Sequence, residues 1–345
     1  MNDRFMALGN NGLVLQSDVS ISNAYNSWTK PTSGNWEEPF WSLGELPSSS
    51  QAGILFTNEG FKALAIGAGT AANFPNSLQI RNLTVDAPMN SSNLLLLNFA
   101  GTATPLQISE DFVIGPQGAL LNYASAVNAS RLLLNNRATF AEGASASFNI
   151  AMVGSNSLGS ITLSNANIGF GNLELGGGSS GLGVFYQYGG SNQVGTMVLW
   201  GRGYYNMSGG TVTVANDATV GLSSGGSDFA AVGGLIQVAG VLRLGAPTGG
   251  GSGRVLLTGA SLVSDRIDVA NGSYQQFAGL TSVGQMRIPS APSALADATL
   301  SGGMLRSGQV DVGLDLSGSF YQDGGTHINT NGIFIWGRTH GGANT

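Results

Sequence analysis

Cysteine is absent from this 345-residue chain, histidine occurs twice, and charged residues fill 9% of positions, against about 25% in an average globular domain. Each scarcity removes a class of function. Without cysteine there are no disulfide staples and no thiolate metal sites, a composition compatible with secretion by a bacterium whose envelope proteins avoid stray thiols. His327 and His340 have no Cys beside them and no Glu at ligand spacing, so neither a metal nor another cofactor is expected. The net charge of −6 and isoelectric point near 4.8 come from scattered acids. No basic stripe exists to neutralise phosphates, which argues against a nucleic-acid partner. No apolar run reaches the roughly 18 residues that cross a bilayer, so no membrane span is expected. The opening Met1-Asn-Asp-Arg-Phe-Met-Ala-Leu-Gly9 lacks the apolar core of a signal peptide, and a leader is expected to have been removed or to lie upstream.

Glycine, by contrast, is abundant: 54 residues, more than twice the usual share of about 7%. Apolar residues, 42% of the chain, gather in short β-branched runs such as Ile161-Thr-Leu163 and Thr211-Val-Thr-Val214. The composition therefore reads as an ordered all-β chain rather than a disordered one. From Gln51 onward, strand-length runs alternate with Gly, Asn, Ser or Pro, and no capped 3.6-period pattern of helical length interrupts them. Asn-rich stretches such as Leu132-Leu-Leu-Asn-Asn136 are expected to stack their amides in ladders.

The strongest signal is internal repetition. Gly183-Val-Phe-Tyr-Gln-Tyr-Gly-Gly-Ser191, Gly203-Tyr-Tyr-Asn-Met-Ser-Gly-Gly-Thr211 and Gly318-Ser-Phe-Tyr-Gln-Asp-Gly-Gly-Thr326 are near copies, and Gly272-Ser-Tyr-Gln-Gln-Phe-Ala-Gly-Leu280 is a weaker one. Recurrence at about 20 residues predicts a β-solenoid with one unit per coil. Residues 51–345 are read as one array, roughly 60–75 Å long at about 4.8 Å per coil. Residues 1–50 fit no repeat and hold Trp28, Trp36 and Trp41; they are read as a capping segment that covers the first coil.

Within the unit, an aromatic (Phe185, Tyr205, Tyr274, Phe320) and, two residues later, Gln or Met (Gln187, Met207, Gln276, Gln322) share one strand face. The aromatics are expected to form an internal, structural ladder rather than a sugar-stacking platform. Each buried Gln amide is expected to pair with a Gln one coil away. The small pair that follows, as in Gly189-Gly190, marks the bend. A second apolar strand, such as Met197-Val-Leu-Trp-Gly201, is expected to close each unit.

Residues suited to catalysis are few. The acid pairs Asp265/Asp268 and Asp311/Asp315 are the only serious candidates for glycoside cleavage, and their spacing builds no acidic groove. His327 is read as a surface strand residue. The loop Gly245-Ala-Pro-Thr-Gly-Gly-Gly-Ser-Gly-Arg254 lacks the Lys-Ser/Thr ending of a phosphate loop and is read as an inter-coil connection. No catalytic residue is assigned, and the chain is not expected to be an enzyme.

The Gly-x-aromatic-x-Gln-x-Gly-Gly-Thr unit, followed by an apolar strand ending in Gly, resembles repeats in autotransporter-type passenger and surface β-helix proteins of Gram-negative and planctomycete-verrucomicrobial bacteria. The segment Ser33-Gly-Asn-Trp36, Phe40-Trp-Ser42 and Leu46-Pro47 resembles the Trp-rich opening of such proteins. The resemblance touches most of the chain. It implies a right-handed parallel β-helix at the cell surface with a structural or adhesive role, although neither a leader nor a C-terminal translocator barrel is recognised.

Two functional expectations follow. The first is a non-catalytic extracellular rod that associates with itself, laterally or end to end. The strand Ile333-Phe-Ile-Trp336, with no evident cap after it, motivates a head-to-tail filament. The alternative is a polysaccharide-binding or polysaccharide-cleaving β-helix, spike-like, which needs a groove lined by exposed aromatics and acids.

Overall fold

The computed structural model describes residues 6–8, 14–16, 23–177, 180–246, 250–288, 296–314 and 318–336. Met6–Leu8 pairs antiparallel with Val14–Gln16. From Tyr25 onward the strands pair in parallel with the coil before and the coil after, and the chain winds as a parallel β-helix with three faces. One position of the first face runs in register through Leu64, Leu95, Leu120, Ala138, Ile161 and Phe185. It continues through Tyr205, Phe229, Val255, Tyr274, Ala298 and Phe320. These twelve coils, at about 4.8 Å each, span roughly 53 Å from first to last.

The repeat is less regular than the sequence copies imply. Tyr205 follows Phe185 by 20 residues, but other steps run from 18 residues, Leu120 to Ala138, to 31, Leu64 to Leu95. Strand length is held by the ladder, whereas the connections lie outside it and are free to vary. The longest step accommodates the short helix Ala68–Asn73 and the 3-10 turn Pro75–Leu78 between first and second faces. From Phe61 onward the coils also carry a strand more than the two expected. Thr211–Val214 lies on the second face and Ala218–Val220 on the third, reached through a bend at the corner between them.

Alternation along each strand sends every second residue inward. On the third face Leu132, Ala151, Leu173 and Met197 form one inward column, and Leu134, Val153, Leu175 and Leu199 the next. All eight are fully buried. Burial of each Leu, Val or Met side chain stabilises the fold by about 1.5–3 kcal/mol, and a slip of one residue would turn both columns to solvent, so register is firmly specified.

The Gly-Gly pair forms the corner between first and second faces. Its second glycine is left-handed, with φ of 75° at Gly190, 82° at Gly210 and 72° at Gly303. A Cβ on Gly190 would also lie 2.0 Å from the Ala166 carbonyl oxygen, so both conformation and crowding require glycine there.

The asparagines do not stack on one another as expected. Asn136 Nδ2 donates to the carbonyls of Pro116 and Gly118, at 3.0 and 2.7 Å. Asn93 Nδ2 donates to those of Asp86 and Asn58, at 2.6 and 2.9 Å. Turn carbonyls that face away from the ladder need donors, and a short amide satisfies them better than another amide would.

Candidate interaction surface

Phe185 and Tyr205 stack with ring centroids 4.7 Å apart and planes 2° from parallel, and Tyr205 stacks on Phe229 at 4.6 Å and 6°. Phe229, absent from the recognised copies, completes the stack. Val255 then separates Phe229 from Tyr274, and Ala298 separates Tyr274 from Phe320. The four recognised aromatics thus share one position in register, but the continuous ladder holds only Phe185, Tyr205 and Phe229. Phe320 is half-buried in the last coil.

The glutamines do not pair with one another. Gln187 and Gln276 lie four coils apart, with Met207, Ala231 and Leu257 between them. Gln187 Nε2 donates to the Gly190 and Thr211 carbonyls at 3.4 and 3.0 Å. Gln276 Nε2 makes the equivalent bonds to Gly279 and Met304 at 3.2 and 3.0 Å. Each amide therefore pins its own corner, Gly189-Gly190 or Ala278-Gly279, to the corner of the next coil. Gln322, exposed in the last coil, keeps the bond to its own corner, Gly325, at 3.4 Å. Both carbonyl oxygens of the buried glutamines are met by tyrosine hydroxyls, from Tyr205 and Tyr274. Burial pushes both tyrosine hydroxyls well above their ordinary pKa, so they remain neutral donors.

At the other end Trp28, Trp36 and Trp41 are buried and pack edge to face, with Trp41 5.2 Å from Trp28 and 5.1 Å from Trp36. Trp41 Nε1 donates to the Trp36 carbonyl at 2.8 Å. The backbone N–H groups of Trp28 and Trp36 join the following coil through Leu55 and Ala65. The cluster belongs to the first described coil and fills its interior.

The acids are bound into the fold. Asp111 accepts from Arg131 at 2.6 Å, Glu110 from Arg81 at 2.8 Å and Asp228 from Arg254 at 2.7 Å, each pair joining adjacent coils. The Arg81 guanidinium, with help from Asn82, holds the Glu110 carboxyl below the usual range. Asp265 is exposed at a corner, while Asp268 is buried on the third face, 3.2 Å from Arg266 Nε and 4.0 Å from Arg243. The bend between faces separates them. Asp311 is buried and accepts from Gln285 and Gln309 at 2.8 Å and from Trp336 Nε1 at 3.1 Å. Asp315, His340 and residues 247–249 of the glycine-rich loop lie outside the described residues. Among the described residues no three His, Cys, Asp or Glu side chains converge as a metal site, and no helix is long and apolar enough to cross a membrane.

His327 is half-buried rather than fully at the surface. It sits in register with the inward Leu305, its Nε2 is 2.8 Å from Ser307 Oγ, and burial lowers its pKa. A single strand pattern could not tell the inner from the outer face for this last coil. Lys62 escaped notice for the same reason: it points inward and donates to the Asn58 and Glu59 carbonyls.

The second face carries a feature invisible in the repeat copies. Its outward position runs in register through Gln79, Gln107, Asn128, Ser147, Gly169 and Gln193, then Thr213. Three adjoining hollows of about 550, 300 and 430 Å³ follow this column, and Ser147 lines all of them. No charged side chain lines any of the three. They merge into one shallow trough parallel to the axis. No protein-family model, curated protein or solved structure matches the chain.

Proposed function

We propose that this chain is a non-catalytic, extracellular structural or adhesive rod. The observation that carries the reading is the use made of its acids. Glu110, Asp111 and Asp228 tie coil to coil through arginines, and Asp311 is held by three donors. Carboxylates so engaged are poor general acids or bases, because catalysis needs a pair aimed at a shared substrate. The repeat's resemblance to surface β-helix proteins and the absence of cysteine support placement at a bacterial surface.

Self-association enters with a particular geometry. Trp28, Trp36 and Trp41 fill the first described coil, whereas Ile333, Ile335 and Trp336 are 48%, 71% and 46% exposed in the last described coil. One adhesive end joins two copies tail to tail; a filament needs two complementary ends. Electron microscopy of the purified protein tests this, with paired rods as the expected image and long filaments as the result that replaces it. The non-catalytic reading is tested by incubation with a panel of polysaccharides, where release of reducing ends would overturn it. Protease shaving of intact cells tests the surface location.

A further inference from the structure

Gly169 is a glycine that the fold does not require. Its backbone is outside the left-handed region, and a Cβ there would meet nothing closer than the Ala146 and Gln193 carbonyl oxygens at 3.9 and 4.0 Å. The corner glycines beside it are different. A Cβ on Gly171 would lie 2.5 Å from the Asn149 oxygen, and one on Gly195 would lie 2.3 Å from the Gly171 oxygen. Glycine in mid-strand weakens a sheet, and where local packing does not call for it, it marks a close approach by something else. Gly169 lies where two of the three hollows meet on the second face.

We propose that the second-face trough binds an extended, uncharged polysaccharide, with Gly169 leaving the space through which the polymer passes. This rests on the non-catalytic reading above and names the partner class of the rod. The chemistry of the lining selects the ligand. Gln79, Gln107, Asn128 and Gln193 offer amide donors and acceptors, and none of the four hydrogen-bonds to another described residue through its side chain. Gln187 and Gln276 spend their amides on corner carbonyls; these four face the trough. Gln79, Gln107 and Asn128 follow one another at about the 4.8 Å coil spacing, Gln193 lies three coils beyond Asn128, and each amide can both give and accept a bond from a sugar hydroxyl. No cation lines the trough to attract an anionic polymer or nucleic acid. A peptide strand would find no partner for its main chain, since the backbone groups of this face already pair within the sheet. No exposed aromatic ring lines the trough either, so affinity accumulates over many weak contacts and rises with polymer length.

The test is affinity electrophoresis of the whole chain through gels containing a dextran, a mannan or a mixed-linkage β-glucan, with polygalacturonate and gelatin as comparison polymers. Retardation by at least one neutral polymer, insensitive to added salt and growing with polymer length, is expected. Gly169→Trp and Gly169→Gln, whose side chains have room to project into the trough, should each weaken it by about tenfold or more, roughly 1.4 kcal/mol. Gly169→Ala, too small to fill the trough, should keep both the circular dichroism spectrum and the binding. The double variant Gln107→Ala/Gln193→Ala should bind less tightly than the wild type. No retardation by any neutral polymer, binding that survives Gly169→Trp, or retardation by gelatin or polygalacturonate alone would each overturn the proposal. Cleavage of a polymer whose binding is lost in Gly169→Trp would uphold the trough and overturn only the non-catalytic reading.

Discussion

Tyr205 donates its hydroxyl proton to Gln187 Oε1 across one coil, at 2.5 Å, while accepting from Asn192 Nδ2 at 2.8 Å. All three side chains are fully buried. Gln187 then passes the connection on to the Gly190 and Thr211 carbonyls. A polar chain thus runs through an apolar core and fixes two corners to each other. Removing its middle member leaves a buried acceptor and a buried donor unmet, which costs about 1–3 kcal/mol. Tyr205→Phe, which keeps the ring stack, should therefore lower the urea midpoint with little change in spectrum, and Tyr205→Ala should lower it further.

Gly190 tests the corner itself. Gly190→Ala forces a Cβ against the Ala166 carbonyl and a side chain into left-handed backbone. The substitution should destabilise by more than the roughly 1 kcal/mol at stake for glycine in regular structure. Gly226→Ala, where a Cβ meets nothing within 4 Å, should be nearly silent. Thermal unfolding followed by circular dichroism separates the two.

Trp36 is fully buried in the three-tryptophan cluster, edge to face against Trp41. Trp36→Ala should cost about 3–5 kcal/mol as a cavity in the first described coil. Because coils contact only their neighbours, the loss should appear first as local opening near Trp28 and Ile54, detectable by hydrogen exchange, with the distant coils protected.

His327 confers a pH dependence on the last coil. Its folded pKa lies below the unfolded value near 6.5 because burial disfavours the imidazolium. The unfolded state therefore binds the proton more readily. The stability of this coil is fully present above about pH 6.5 and declines as pH falls through that value toward the folded pKa. Protection of the Thr326–Ile335 amides, relative to their intrinsic base-catalysed exchange rate at each pH, should fall below about pH 6.5, and His327→Gln should remove that fall.

Much of the architecture is written in short-range pattern. The Gly-x-aromatic-x-Gln-x-Gly-Gly unit specifies a strand, an inward aromatic and a left-handed corner, because alternation and the steric needs of glycine act within a few residues. That sufficed to read a β-solenoid and to place Tyr205, Gln187 and Gly190 in it. Which residue lies above which in the next coil depends on coil-to-coil steps of 18 to 31 residues, and only the wound chain decided that. It put Phe229 into the stack and Val255 across it. It turned Gln187 toward carbonyls instead of another glutamine, and parted Asp265 from Asp268 at a corner. The column through Gln107, Ser147, Gly169 and Gln193 carries no common residue type and no fixed spacing, so nothing local marks it. It exists because parallel register sums the small choices of successive coils into one continuous face.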